Sequence, residues 1–469
     1  ILSPSGEKMG GLELITESLA IDPLRPIIVI TGYGSIELAR KTLTQGVFDF
    51  IEKSANAIND LVEAVQRAIE QRNAKVKRAG NPFARMTGME PTFFGGRALE
   101  LQFFEEKLNR AIQTRFCEHF IVLGNWGIGK STLLREYKKI CHSRGYIAAI
   151  VPLEPLRPQT ALIEGVKSII EGVLRDIPYT TDRLRELTKY FDSVGISILG
   201  TGLQLGRSTT GKEVPAQALL HDTLIKLWED LQTKVEVLVI MLDDLENFIE
   251  LQDILMLLKQ TLLMDSMRKT KILFGIASTP DIWTKITSQK KHHPLSRYFI
   301  SRTELTSLSE NELKDVIQKS LVGTGISFSR EVANKVFEIT QGHPFEMQVL
   351  CYHLFNNQMS GRVEEDVWDN AVRAALIDIG MAVFDQWYFQ ASNEESKVLY
   401  ILARHGNSMT VKEITDVSKS ERIKISDKNI TKYLQRLVNK ELITKSQRGR
   451  YNISDAMFKA YLRSRESKL

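Results

Sequence analysis

The sequence predicts a multidomain α/β chain: two units built on parallel sheets, a helical block, and a small helical domain closed by a hairpin. Three observations carry that prediction. Apolar strand-like runs alternate with single amphipathic helices in two separate regions, which demands crossover connections and parallel sheets. The strands of the second region, "HFIVLG", "IAAIVPL", "VEVLVIML" and "KILFGIAS", are apolar almost throughout, as a sheet covered on both faces requires. After residue 306 helical periodicity takes over, until "ITKSQRGRYNIS" alternates around Gly449 near the end of the chain.

At 469 residues the chain has room for several cores. Its net charge of +5 is too small to argue for a nucleic-acid partner, so the distribution of charge must decide. Cys117, Cys141 and Cys351 lie far apart with no His or Cys cluster near them. That pattern fits reduced thiols in a cytoplasmic protein and shows no metal site of its own. The longest apolar runs are too short to span a bilayer and no signal segment is recognised, so no membrane partner is expected.

Residues 1–72 form the first block: "GGLELITESLA", "PIIVIT", "SIELARKTLTQG", "VFDFIEK" and the amphipathic "AINDLVEAVQRAIEQR". Thr31 closes one strand and Lys53 the next, a pairing suited to a phosphoryl group. Residues 73–92, basic and polar with Gly and Pro, read as a linker. Residues 93–306 are the larger α/β unit and 307–380 the helical block. Residues 381–469 form the last domain. Ser193–Pro215, Gly-rich with alternating apolar residues, reads as a β-hairpin or a mobile insertion, with no function assigned.

The strongest motif is "GNWGIGKST" (Gly124, Asn125, Trp126, Gly127, Ile128, Gly129, Lys130, Ser131, Thr132). A strand leads in and a helix leads out, so the backbone can wrap phosphate oxygens at a helix N-terminus. Lys130 is expected to neutralise the outer phosphates of ATP, and the Ser131 hydroxyl to ligate Mg²⁺. The strand "VLVIML" ends in Asp243, a carboxylate for Mg²⁺, and Asp244, which would orient or activate the attacking water. A third strand ends in Ser278 and Thr279, either of which could sense the terminal phosphate.

These residues resemble an AAA+-related ATPase of the STAND kind or of the archaeal origin-recognition-like kind. "FFGGRALE" (Phe93–Glu100) is similar to the motif that opens such domains, with Ala98 where an acid is usual. "QGHPF" (Gln341–Phe345) resembles the signature of the helical lid, which implies Pro344 near the nucleotide. The resemblance also implies a catalytic Arg supplied by a neighbouring subunit or domain, for which Arg297 is the candidate, and homo-oligomer formation on ATP.

In the last domain, "NEESKVLYILARHG", "TVKEITDVS" and "DKNITKYLQRLVNKELI" give three helical patterns ahead of the hairpin. This resembles a winged helix-turn-helix, with Asp427 capping the third helix. From Lys419 onward there are fourteen Lys/Arg against five Asp/Glu, a net of nine positive charges, where the whole chain carries +5. Lys428, Lys432 and Arg436 on the helix and Arg448 and Arg450 on the wing suit duplex DNA. Packing of the winged helix on the ATPase as a clamp stands as the other reading.

The first block resembles the C-terminal half of a response-regulator receiver domain, flavodoxin-like in its parallel sheet. "MGGLELI", Thr31, Phe50 and Lys53 match the helix after the phosphoacceptor loop, the switch Thr, the switch aromatic and the Lys of that family. The resemblance implies a histidine kinase partner and a phosphoacceptor Asp upstream of Ile1. Together the blocks lead to the expectation of a slow ATPase acting as a phosphorelay-coupled switch. The alternatives are a DNA-loading, initiator-like ATPase and a signalling scaffold that binds no DNA.

Overall fold

The computed structural model describes residues 11–21, 26–31, 46–54, 56–78, 80–86, 88–114, 116–153, 161–176, 196–199, 202–205, 215–247, 251–288, 298–358, 361–405 and 408–466. They fall into two compact units: Arg97–Ser307, and a second formed by Ile1–Gly96 together with Leu308–Leu469.

The second unit begins with α1 (Gly11–Ile21), β1 (Ile28–Thr31), β2 (Asp49–Glu52) and α2 (Ala57–Arg78). The two strands pair in parallel with Thr31 opposite Glu52, and the Lys53 N–H donates to the Thr31 carbonyl at 2.8 Å. Thr31 and Lys53 therefore close neighbouring strand ends; Phe50, half-buried, lies on β2 opposite Val29. Gly10 and the residues before it lie outside the described residues. Helix α2 runs six residues past the expected boundary at 72, because "NAKVKR" continues a helix-favouring sequence with no Gly or Pro before Gly80. Beyond it, residues 81–85 are bonded to the helical block. Asn81 Nδ2 donates to the Tyr352 carbonyl and Ala84 N–H to Gln348 Oε1, both at 2.9 Å, and Arg85 grips Asp378 at 2.7 and 3.0 Å.

The Arg97–Ser307 unit runs α3 (Ala98–Gln113), β3 (Phe120–Leu123), α4 (Lys130–Ser143), β4 (Ile147–Pro152), α5 (Ala161–Asp176), β5 (Ile196–Leu199), β6 (Gly202–Leu205) and α6 (Ala216–Leu231). It continues with β7 (Leu238–Asp243), α7 (Leu251–Leu263), α8 (Asp265–Arg268), β8 (Ile272–Ser278), α9 (Pro280–Ser288) and β9 (Ser301–Glu304). Five parallel strands form one sheet in the order β4-β7-β8-β3-β9. Strands β3, β7 and β8 are buried along their whole length, which is why they read as unbroken apolar runs. Helix α4 buries Leu133, Leu134, Tyr137 and Cys141, a stripe at helical spacing. Tyr137 stacks on Phe104 of α3 at 4.1 Å, joining the first two helices. Strands β5 and β6 form an antiparallel hairpin, the first of the two readings of that insertion.

The second unit resumes with α10 (Glu310–Ser320), β10 (Ser327–Phe328), α11 (Arg330–Thr340), α12 (Pro344–Asn357), β11 (Arg362–Val363), α13 (Trp368–Ile379) and, after a π turn over Gly380–Phe384, α14 (Asp385–Gln390). Ser309 and Glu312 form a reciprocal capping box that starts α10, and Ser329 caps α11. The last domain comprises α15 (Asn393–His405), α16 (Val411–Ser420), α17 (Ile430–Asn439), β12 (Ile443–Lys445), β13 (Tyr451–Ile453) and α18 (Ala456–Glu466). One core runs through helical block and terminal domain, from Phe83 and Val332 to Leu437 and Phe458. Asp427 opens a 3-10 turn, Asp427–Asn429, and Asn429 occupies the position before α17.

Candidate nucleotide site

Parallel strands bring their C-terminal ends to one edge of the sheet, where ligands of such folds bind. Strand β3 ends at Leu123, and Gly124 N–H donates to the Ser278 carbonyl of β8 at 3.1 Å. The loop then closes on Gly129, whose φ of +101° lies in the left-handed region, and α4 starts at Lys130. A side chain at 129 would strain that conformation. The first-turn N–H groups of α4 thus line the loop, a ready cradle for an anion.

Lys130 is 6% exposed, and its ammonium donates to the Gly124 carbonyl at 3.0 Å and to Asn125 at 3.4 Å. Ser131, one residue on, comes close enough to the Asp243 carboxyl at the end of β7 to lower its pKa. Burial and the adjacent Asp244 carboxylate push Asp243 up to about 6, against the opposing pull of Ser131, of the Asp244 N–H hydrogen bond and of Lys130. Asp244 itself adopts a left-handed backbone, φ +55°, which short polar side chains tolerate best. Its N–H turns back on Asp243 Oδ1 at 3.0 Å.

Three observations show that these residues fit a magnesium nucleotide. A buried carboxylate beside a second one gains from a dication. The Lys130 ammonium donates to two neutral loop carbonyls, and phosphate oxygens in their place would make stronger, charge-assisted bonds. Ser278 is fully buried and its Oγ has no hydrogen-bond partner at the very edge where the loop begins. Among the described residues no group of three or more His, Cys, Asp or Glu could hold a metal by itself, so Mg²⁺ would need ligands from the nucleotide.

Of the two residues read at the end of β8, Thr279 is otherwise engaged. Its hydroxyl donates to Asp281 Oδ1 at 2.5 Å in the first turn of α9. Ser278 is left as the group with a hydroxyl to spare. Substituting Ser278→Ala should leave the melting temperature unchanged or slightly higher, because no bond is lost and an orphan polar atom is removed. Hydrolysis measured by phosphate release should fall at least about tenfold. An unaltered rate would remove Ser278 from the site.

Asn125 and Trp126 are exposed on the loop, Gly127 is half-buried, and Ile128 is buried beneath it. Thr132 lies in the first turn of α4. Pro344 opens α12 in the other compact unit, and Arg297 lies outside the described residues. Arg97, within "FFGGRALE", carries no sequence signal of a site role, yet its guanidinium donates to the Ile128 carbonyl of the loop at 3.1 Å.

In the terminal domain, Lys428 is exposed in the 3-10 turn before α17, Lys432 and Arg436 are exposed on α17 itself, and Arg448 is exposed at the hairpin tip. Arg436 comes within 3.9 Å of Glu395, which is itself bound more closely by Lys440 at 2.6 Å. Arg450 is bonded within the domain. It donates to Ser408 Oγ and O and pairs with Glu413 at 3.0 Å, tying the hairpin to the start of α16.

Residues 105–292 match the KAP family P-loop domain, and residues 391–460 match the penicillinase repressor family. The nitrogen assimilation regulatory protein NtrX of Azorhizobium caulinodans is 30% identical over 130 residues, 28% of this chain and 27% of that protein. The C4-dicarboxylate transport transcriptional regulatory protein DctD of Rhizobium meliloti is 30% identical over 134 residues, 28% of each chain. The matched part thus spans little more than a quarter of these relatives. ORC2 of Aeropyrum pernix, solved as ADPNP–ADP complexes, superposes with a TM-score of 0.54 at 12% identity, covering 81% of this chain and 98% of that one. A Walker-type ATPase of Pyrococcus abyssi gives 0.50 at 16%, over 78% and 95%. The chain therefore has a P-loop ATPase fold with a helical C-terminal region. No described helix is long and apolar enough to cross a membrane.

Proposed function

We propose that this chain is a regulatory ATPase that binds ATP with Mg²⁺ at Gly124–Thr132, hydrolyses it slowly, and governs a winged helix that contacts duplex DNA. The observation that carries the reading is the convergence of Lys130, Ser131, Asp243 and the orphan Ser278 hydroxyl at one sheet edge. Bound Mg·ATP would supply the phosphoryl group and a dication. Lys130 would hold the outer phosphates, Ser131 and Asp243 would hold the metal, and Asp244 would position the attacking water. Arg297 is the candidate for a catalytic Arg supplied by a neighbouring subunit or domain.

Control by phosphorylation is supported by the Thr31–Lys53 strand ends and by the similarity to NtrX and DctD. A histidine kinase is the partner this reading requires, with Thr31, Phe50 and Lys53 as the responding residues. An initiator-like ATPase assembling on duplex DNA is the alternative that the ORC2-like fold favours. The continuous core shared by helical block and terminal domain favours a third, a scaffold whose winged helix is an intramolecular clamp.

Salt decides between the DNA and clamp readings. Lys428, Lys432, Arg436 and Arg448 together predict a log–log slope of duplex affinity against salt of about −3.5, and Lys432→Ala should reduce it by about 1. Arg450→Ala should instead loosen the hairpin, since its bonds are internal. No binding, or binding indifferent to salt, leaves the clamp as the function of this domain.

A further inference from the structure

Arg97 is the first residue of the ATPase unit. Although it precedes α3 by one position, its guanidinium is 7% exposed, and a buried cation must be held on several sides. One side is Glu100, at 3.3 Å; the others are backbone carbonyls, Ile128 at 3.1 Å and Thr306 at 2.8 Å. Ile128 belongs to the phosphate loop, and Thr306 lies one residue before the chain leaves the unit at Ser307.

The carbonyl of Ile128 and the N–H of Gly129 belong to one peptide group. No peptide bond in the described structure is cis, and in a trans peptide these two groups point in opposite directions. A bond that draws the Ile128 oxygen outward therefore turns the Gly129 N–H inward. Gly129, at φ +101° and with no atom within 4 Å of where a Cβ would stand, offers little steric resistance to rotation of that peptide. The clamp comes from Arg97, and Arg97 is itself anchored. Tyr137 of α4 donates to the Glu100 carbonyl at 2.9 Å, fixing the first turn of α3 to the helix that follows the loop. The exit segment is also held to the loop: Leu305 N–H donates to the Leu123 carbonyl at 2.7 Å.

We propose that Arg97 is a positioning residue of the nucleotide site, holding the Ile128–Gly129 peptide with its N–H in the phosphate cradle and tying that peptide to the segment by which the chain leaves the ATPase unit. The proposal rests on Gly124–Thr132 being the nucleotide site. It assigns Arg97 a role through the loop, without contact to the nucleotide.

The full chain is compared with Arg97→Ala, Arg97→Lys and Arg97→Gln, and with Lys130→Ala as the site control. Fluorescent ATP and ADP analogues report affinity at a temperature where circular dichroism shows each variant folded. Arg97→Ala should weaken both nucleotides at least about tenfold. Arg97→Lys and Arg97→Gln, each able to reach one carbonyl, should restore part of the loss. In steady-state hydrolysis the change should fall on KM more than on kcat, a split that mere loss of stability does not produce. A folded Arg97→Ala that binds ATP within about twofold of the parent overturns the proposal, and unchanged affinity in Arg97→Gln does so where the Ala variant fails to fold. Normal ATP binding by Lys130→Ala identifies a different failure: the site itself is misassigned, and this proposal falls with it.

Discussion

Lys130→Ala should abolish nucleotide binding, with a loss in ATP affinity of at least about 100-fold, or roughly 3 kcal/mol. The magnitude follows from where the ammonium sits. It is 6% exposed and bound to the Gly124 and Asn125 carbonyls, within the loop that would receive the phosphates. A charge already withdrawn from water exchanges two neutral acceptors for anionic oxygens, which strengthens its hydrogen bonds. Alanine forfeits that exchange and leaves two loop carbonyls without a donor, so the protein without nucleotide should lose only about 1–2 kcal/mol. Two measurements separate these effects. The melting temperature without nucleotide should fall modestly, while the rise expected of the parent on adding Mg·ATP should vanish. A variant that retains the ATP-dependent rise would sink the assignment of Gly124–Thr132.

The phosphate loop was legible because its chemistry is local: glycines, Lys130 and Ser131 occupy consecutive positions between a strand and a helix. Asp243 was legible because a fully buried strand must end where its polar residues begin. What the sequence hid was non-local. Strand β9, "SRTE", is polar because it lies at the sheet edge, with only Ser301 of its four residues buried, and it shows no apolar run to read. Arg97 looks like any surface arginine until the fold brings Ile128 and Thr306 to it from 31 and 209 residues away. The internal bonds of Arg450 were hidden for the same reason: its partners Ser408 and Glu413 lie 42 and 37 residues earlier. A positive charge in a sequence carries no label saying whether it will meet a phosphate or a protein carboxylate.

Gly342 shows how a motif read for one purpose serves another, and it carries the second large effect. "QGHPF" was read as a lid signature centred on Pro344. In the structure the demand falls on Gly342. It follows Gln341, which ends α11 at φ +48°, and itself adopts φ +75°, so two successive left-handed residues turn the chain into α12. Its carbonyl accepts the Leu308 N–H at 2.9 Å, and a Cβ at 342 would lie 1.9 Å from the Leu308 carbonyl oxygen. That neighbour is backbone and cannot rotate away. Gly342→Ala must therefore move the start of the helical block, lose that hydrogen bond and strain its own φ. Together these should cost roughly 3–5 kcal/mol of the unit's stability and lower its melting transition by about 10 °C or more. Gly323→Ala is the matched control. Its φ is +78°, nearly the same, but nothing lies within 4 Å of its Cβ position. It should show only the conformational penalty, about 1 kcal/mol. Equal melting shifts for the two variants would mean that the left-handed backbone, and not the approach of Leu308, accounts for glycine at 342.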